Sequence, residues 1–334
     1  MKRIVVPQVA EHPSVPFYLA IEEWVARNLP ADEYFFAWQV GPTVICGRHQ
    51  VIPLEVDMLF AEANNIDVCR RKSGGGAVYA DYNNVMFSYI TESDAVQTSF
   101  TRYTSKICAM LGSLGITAEP TGRNDISIGG KKVAGNAFLK SPGRSIVHGT
   151  MLYDADFQTM SRVLTPSRAK RESKGVVSVP SRVTTLRNEG LKISCAEFIT
   201  SAVEHLCLDG EYSLTEKDIR EVAAIQSSYY DPDFLKPGTI HSHSAPIYID
   251  GVGQICINYL TDSDDKINKI EFSGDFFPLR DIEQAVAPII IGRHKDSLEN
   301  ILCEIGLENY IAGLNRQKTK QLFEDIKINC KQTS

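Results

Sequence analysis

Two short segments carry the side chains best suited to handling an anion. Arg70-Arg71-Lys72-Ser73-Gly74-Gly75-Gly76-Ala77-Val78-Tyr79-Ala80-Asp81 follows a β-rich run. Its consecutive glycines let backbone N–H groups approach a negative charge, because no Cβ blocks the ligand or a positive φ. Arg70 and Arg71 add charge beside that cradle, and a guanidinium can hold phosphate oxygens through two parallel hydrogen bonds. A glycine run alone more often marks a tight turn, and the adjoining arginines shift the reading to a phosphate or adenylate site. Neither G-x-x-x-x-G-K-[ST] nor G-x-G-x-x-G spacing is present, which disfavours P-loop and dinucleotide folds.

The second segment runs Gly122-Arg123-Asn124-Asp125-Ile126 and then Gly129-Gly130-Lys131-Lys132-Val133-Ala134-Gly135-Asn136-Ala137-Phe138. Lys132 enters a predicted strand from a glycine turn, and the small residues after it leave room for a ligand beside its ammonium. A lysine held there can neutralise charge on a phosphoryl group or acyl oxygen, whereas one of two adjacent lysines is expected simply to face solvent. Asp125 offers a hard oxygen for Mg²⁺ or caps a turn. His148-Gly149-Thr150 is read as opening a strand, with an imidazole that lines the pocket or makes a structural hydrogen bond. His241 and His243 lie on a polar stretch without cysteine or acidic partners, so no metal is expected there.

These residues need a scaffold. Ser14 precedes a stripe of Phe17, Ala20, Ile21, Trp24 and Val25, which predicts an amphipathic helix with Pro16 in its first turn. Tyr34 to Val40 and Thr43 to Gly47, split by Gly41-Pro42, read as a hairpin. Tyr103, Ile107, Met110, Leu111 and Leu114 predict a second helix closed by Gly115. Strands are expected at 66–71, 77–79, 85–90, 126–128, 133–138 and 150–153, giving an α+β domain on a largely antiparallel sheet. The Pro- and Gly-bearing connector 231–238 marks a boundary. Beyond it, strands at 247–260 and 269–277 and helices at 296–305 and 319–326 predict a small ββα-type module. The expected division is therefore 1–245 and 246–334.

The 334 residues, 43% hydrophobic and 23% charged, suffice for a sizeable core. A net charge of -6 argues against a general nucleic-acid binder. One local basic excess runs from Arg162 to Lys192, where Arg162, Arg168, Lys170, Arg171, Lys174, Arg182, Arg187 and Lys192 face Glu172 and Glu189, either as an anion site or as a solvated loop. Eight cysteines without a C-x-x-C pair suit reduced thiols, and no long apolar run appears, so a cytoplasmic protein is expected.

Taken in order, Arg70-Arg71-x-Ser73-Gly74-Gly75-Gly76-Ala77-Val78-Tyr79-x-Asp81-x-x-Asn84, Gly122-Arg123-Asn124-Asp125, Lys132-Val133-x-Gly135-x-Ala137, His148-Gly149-Thr150, Asp154-x-Asp156 and Ser178-Val179-x-Ser181-Arg182-Val183 resemble the lipoate-protein ligase family. The resemblance covers most of residues 1–245, and beyond that it holds mainly in length and layout. It implies a biotin-ligase-like catalytic domain with a small C-terminal domain, ATP and Mg²⁺ as cosubstrates, and lipoate activated as lipoyl-AMP. Carried over by position, Lys132 is the catalytic lysine. Arg71, Gly75, Gly76, Ala77, Val78, Tyr79, Asn84, His148 and Arg182 join it in binding ATP and lipoate, Asp125 holds the metal, and the stretch around Lys174, Ser178 and Arg182 is the adenylate-binding loop. The implied partners are lipoyl acceptor domains of 2-oxoacid dehydrogenase complexes or the glycine cleavage H protein, with neither nucleic acid nor membrane. Gly47-Arg48-His49-Gln50 keeps a family pattern but carries Val51 where Asn is common, so that turn is given no ligand role.

The rivals are an octanoyl or lipoyl transferase working through a cysteine thioester, disfavoured by the absence of cysteine between Cys108 and Cys195, and a non-catalytic binder of lipoate or lipoyl domains. A biotin ligase lacks support because Gly-Gly-Gly-Ala replaces its Gly-Arg-rich loop. With every recognised ligand motif before residue 185, the C-terminal module is expected to act on coupling more than on pocket chemistry.

Overall fold

The computed structural model describes residues 1–7, 13–165, 182–236 and 246–332, with side chains as far as residue 325. Its elements in the first part of the chain are β1 (Lys2–Val5), α1 (Val15–Asn28), β2 (Tyr34–Trp38), β3 (Thr43–Cys46), α2 (Ile52–Glu55), α3 (Met58–Ala63), β4 (Asp67–Arg70), β5 (Val78–Ala80), β6 (Asn84–Glu92) and α4 (Val96–Ser113). There follow β7 (Glu119–Thr121), β8 (Asp125–Ile128), β9 (Lys131–Ser141), β10 (Arg144–Leu152), α5 (Phe157–Val163), α6 (Cys195–Leu206), β11 (Glu211–Ser213), α7 (Glu216–Ser227) and α8 (Pro232–Leu235). The chain ends with β12 (Ile247–Ile249), β13 (Gly253–Thr261), β14 (Ile267–Gly274), α9 (Ile282–Ile290), α10 (Leu298–Ile305) and α11 (Arg316–Gln332).

The expected α+β architecture is present. An eight-stranded sheet runs β11-β1-β2-β6-β10-β9-β8-β7, antiparallel from β2 to β7 and parallel at its β11-β1-β2 edge. Helix α1 covers one face, burying Phe17, Leu19, Ile21 and Trp24, and α4 with α6 covers the other. Ser14 does cap α1 by position, yet its hydroxyl bonds Tyr230 instead of a helix N–H. Gly115 takes φ +80 after α4, the left-handed stop that ends a helix cheaply.

One element departs from the sequence reading. The segments either side of Gly41-Pro42 do not pair: β2 lies in the large sheet, whereas β3 joins a three-stranded sheet β4-β3-β5. Pro42 instead uses its carbonyl to accept from Asp67 N–H, which starts the parallel β3–β4 ladder. Each strand finds more apolar partners in separate sheets than a two-strand hairpin offers.

The C-terminal module has an antiparallel sheet β12-β13-β14 with α9, α10 and α11 around its own apolar cluster. A turn at Asp250 to Val252 divides the expected strand 247–260, and α9 is a helix that the sequence reading did not place. Phe277 leaves this module to enter the core under the large sheet beside Phe100, their ring centroids 5.4 Å apart.

Candidate active site

Register alone brings the site together. Trp38 on β2 pairs with Met86 on β6, Met86 with Thr150 on β10, Thr150 with Gly135 on β9, and Gly135 with Asp125 on β8. This single cross-strand row floors a cavity of about 210 Å³ and grades from apolar at Trp38 to acidic at Asp125. Val15 and Leu19 from α1 and Ile45 from β3 wall the apolar end, and His148, two residues from Thr150 on the same face, lines it too. His148 sits in the middle of β10, not at its start as the sequence reading had it. Gly75, Gly76, Ala77 and Val78 close the polar end together with Arg71, Arg123 and Lys132.

A second cavity of about 450 Å³ lies beyond, lined by Tyr79, Leu152, Met160, Leu164, Arg182 and Val183 among others. The two share Ala77, Val78, Asp125, Lys132, Gly135 and Thr150. Lys132 thus stands in a common wall. Its backbone is fixed from a separate segment, with Lys132 N–H donating to Arg182 O and Thr184 N–H to Lys132 O, both at 2.8 Å. Its Nζ lies 2.8 Å from Asp125 Oδ1. Neighbouring Lys131 is exposed, as strand alternation requires. Gly135 makes room for the lysine, since a Cβ built there would fall 2.5 Å from Nζ.

The arginines are used differently from the sequence expectation. Arg70 spends its guanidinium on the carbonyls of Gly47, Arg48, Gln50 and Lys236. Arg71 donates to Ile45 O at 2.9 Å, Gly74 O at 2.7 Å and Gly76 O at 2.8 Å, and burial draws its pKa down to about 10. Arg71 therefore shapes the glycine loop by gathering its carbonyls. The glycines also serve close approach of the chain to itself: Gly75 N–H donates to Phe276 O at 3.2 Å, and a Cβ on Gly74 would lie 2.2 Å from that oxygen.

Of the remaining candidates, Asn84 lines neither cavity and instead donates to Asp81 Oδ1 at 3.2 Å. Lys174 and Ser178, like His241 and His243, lie outside the described residues. Among the described residues no trio of His, Cys, Asp or Glu is arranged to hold a metal alone, so phosphate oxygens would have to supplement Asp125. No described cysteine lines either cavity, and the described cysteines form no disulfide.

Sequence reasoning missed Glu22, Asp275 and the apolar wall. Glu22 had no signal, because it stands off the stripe of Phe17, Ala20, Ile21, Trp24 and Val25, and only the structure shows it 1% exposed. Asp275, which lines the first cavity from the C-terminal module, had none either. Arg123 marks the same junction, donating to the carbonyls of Val252 and Asp275 with its guanidinium 4.1 Å over the Phe277 ring.

A slot apolar at one end, with a lysine at the other end shared with a second, partly polar cavity, suits a ligand with an apolar tail and an anionic head. A family model described as the lipoyl protein ligase A/B catalytic domain matches residues 14–207. Lipoate-protein ligase 1 of Staphylococcus aureus is 32% identical over 315 residues, which are 91% of this chain and 95% of that protein. The chain belongs to the lipoate-protein ligase family. The fold agrees: the structure of Plasmodium falciparum LipL1 in complex with lipoate superposes with a TM-score of 0.74 at 19% identity, covering 96% of this chain and 97% of that one. A bi-partite lipoate protein ligase from Thermoplasma acidophilum, studied with its E2 lipoyl domain, gives 0.61 at 25% identity, covering 72% of this chain and 97% of that one. No described helix is long and apolar enough to cross a membrane.

Proposed function

We propose that the chain joins lipoate to ATP as lipoyl-AMP and passes the lipoyl group to a lysine of an acceptor lipoyl domain. One observation carries the reading: Lys132 stands in the wall common to an apolar slot and a second cavity. The slot between Val15, Leu19, Trp38 and Met86 takes the acyl chain, the glycine loop and Lys132 take the carboxyl and phosphate groups, and the cavity around Tyr79 and Arg182 takes the nucleoside.

With the acid held end-on, its carboxylate attacks the α-phosphorus of ATP and pyrophosphate leaves. Lys132 neutralises the phosphoryl oxygens in that step, and it stabilises the carbonyl oxygen when the acceptor amine attacks the mixed anhydride and AMP departs. Asp125 keeps the ammonium in place in the free enzyme. Its carboxylate, with phosphate oxygens, would also hold Mg²⁺, which supplies further charge neutralisation when bound. The reading needs no protein nucleophile, which suits walls where no described cysteine stands. Acceptors would be lipoyl domains of 2-oxoacid dehydrogenase complexes or the glycine cleavage H protein, met in the cytoplasm. The apolar cluster confined to residues 247–323 supports 1–245 as the catalytic domain and 246–334 as the accessory one.

The test is Lys132→Ala in lipoate-dependent ATP–pyrophosphate exchange and in single-turnover transfer from purified lipoyl-AMP. Each should fall by about 10²- to 10³-fold, the usual cost of deleting one preorganised charge-stabilising donor, while Lys131→Ala stays near wild type. Near-normal rates in Lys132→Ala would overturn the assignment.

A further inference from the structure

Beneath the acyl slot, buried polar side chains are bonded in series. Trp38 Nε1–H donates to Ser88 Oγ at 2.9 Å, and the Ser88 hydroxyl donates to Glu22 Oε1. Glu22 Oε2 lies 2.7 Å from His148 Nδ1, and His148 Nε2 lies 2.8 Å from Ser73 Oγ. Arg71 Nε–H then donates to Ser73 Oγ at 3.0 Å. Every member from Ser88 to Arg71 is at most 5% exposed, so no bond in the chain is readily replaced by water.

Hydrogen counting fixes the direction. Ser73 Oγ accepts from Arg71, and among the described residues its own hydrogen has one partner within reach, His148 Nε2. That nitrogen is therefore an acceptor, and the ring hydrogen sits on Nδ1, facing the Glu22 carboxylate. Both nitrogens are then spoken for by protein groups, which leaves His148 only its ring to present to a ligand.

The two ends of the series belong to different parts of the pocket. Trp38 and His148 line the apolar slot, whereas Arg71 lines the polar end and holds the carbonyls of Gly74 and Gly76. Glu22, Ser88 and Ser73 line neither cavity. We propose that Glu22 and Ser73 are positioning residues that tie the acyl slot to the glycine loop: through His148 and Arg71 they set the loop geometry that receives ATP, without touching ATP. The proposal rests on the functional reading above. It predicts that damage to the middle of the series appears in the handling of ATP more than in the binding of lipoate.

The decisive variant is Ser73→Ala, which removes the acceptor for Arg71 Nε–H and the donor for His148 Nε2 while changing no cavity wall. The apparent KM for ATP in lipoate-dependent pyrophosphate exchange should rise about tenfold or more, because small displacements of positioning groups weigh heavily on bound geometry. The Kd for lipoate, measured by calorimetry without nucleotide, should stay within about threefold of wild type, since the slot itself is unchanged. Glu22→Gln keeps an oxygen acceptor for the Nδ1 hydrogen, and its KM for ATP should rise about tenfold less than that of Glu22→Ala, both measured on protein shown to be folded. Nitrogen-15 spectra of histidine-labelled protein should show His148 protonated at Nδ1 in wild type and a displaced Nε2 resonance in Ser73→Ala. If Ser73→Ala does not fold, the Glu22 pair and the wild-type spectrum decide. Exchange in wild type with an unchanged KM for ATP in Ser73→Ala, equal losses for ATP and lipoate, equal defects in Glu22→Gln and Glu22→Ala, or a wild-type His148 protonated at Nε2 would each overturn the proposal. Absence of exchange in wild type would instead refute the underlying functional reading.

Discussion

Gly135→Ala tests the placement of Lys132, the lysine proposed to be catalytic, without touching its chemistry. A Cβ at this position would stand 2.5 Å from Lys132 Nζ and 2.7 Å from its Cε, against an ordinary contact beginning at 3.4 Å. The backbone at Gly135 is strand-like, so alanine adds no φ strain, and the clash falls on the free end of a flexible side chain. Folding should therefore survive. Relief requires the ammonium to shift by about 0.9 Å, and a misplacement near 1 Å can cost on the order of 10²-fold in rate. The shift also strains the 2.8 Å bond to Asp125 that holds the lysine in place. The expected outcome is a loss of roughly 10²-fold in both pyrophosphate exchange and single-turnover transfer from lipoyl-AMP, with a melting temperature close to wild type. Rates within about threefold of wild type in a folded Gly135→Ala protein would refute the claim that this glycine positions Lys132.

Three other outcomes follow from buried groups. His49, stacked on Phe276 with centroids 4.7 Å apart, has its pKa lowered to about 3, by burial first and then by neighbouring Arg48. The unfolded chain therefore binds a proton on this residue between about pH 6.5 and 3 that the folded chain does not. Stability from this group is fully present above about pH 6.5 and falls on acidification, by at most ~2 kcal/mol between pH 7.5 and 5. Urea midpoints at the two pH values should differ less in His49→Gln than in wild type, and equal differences would discount the effect. Phe277→Ala should cost about 3–5 kcal/mol, because the ring is fully buried in the catalytic core, and a loss under ~1 kcal/mol in urea unfolding would show that the docking is loose. Burial raises the thiols of Cys46 and Cys207 to about 11 and also lifts Cys69, Cys108 and Cys195, whereas Cys303 is exposed. Iodoacetamide at pH 7.5 should therefore modify Cys303 first among the described thiols and spare adenylation. Activity lost in step with alkylation of one cysteine would favour a thioester mechanism.

The parts of the site legible in the sequence are those whose side chains carry the chemistry. Lys132 announces itself by a glycine turn before it and Gly135 after it, and Gly75 to Tyr79 by composition. Asp125 lines both cavities and His148 the first, because strands alternate faces and register aligns them. What stayed hidden is what backbone groups do. Arg70 and Arg71 look like phosphate ligands as letters, and only the fold shows most of their donors bonded to carbonyls of residues 45, 47, 48, 50, 74, 76 and 236. The hairpin expected around Gly41-Pro42 failed for a similar reason. Local turn chemistry was read correctly, but the partner strands that decided the pairing, β6 for one arm and β4 with β5 for the other, lie far along the chain.

The same blindness explains why the C-terminal module seemed remote from the pocket. Its contribution is one carboxylate, Asp275, and one main-chain oxygen, that of Phe276, and neither forms a motif. Yet that oxygen accepts from Gly75 N–H, one of the amides that the sequence assigns to an anion. A donor cannot serve both in full, so anion binding at Gly75 and this module contact draw on the same hydrogen. One link between the glycine loop and the C-terminal module therefore runs through this backbone amide. Weakening the module's hold should be felt first in the polar end of the pocket, because among the described residues none from the C-terminal module lines the apolar slot between α1 and β2.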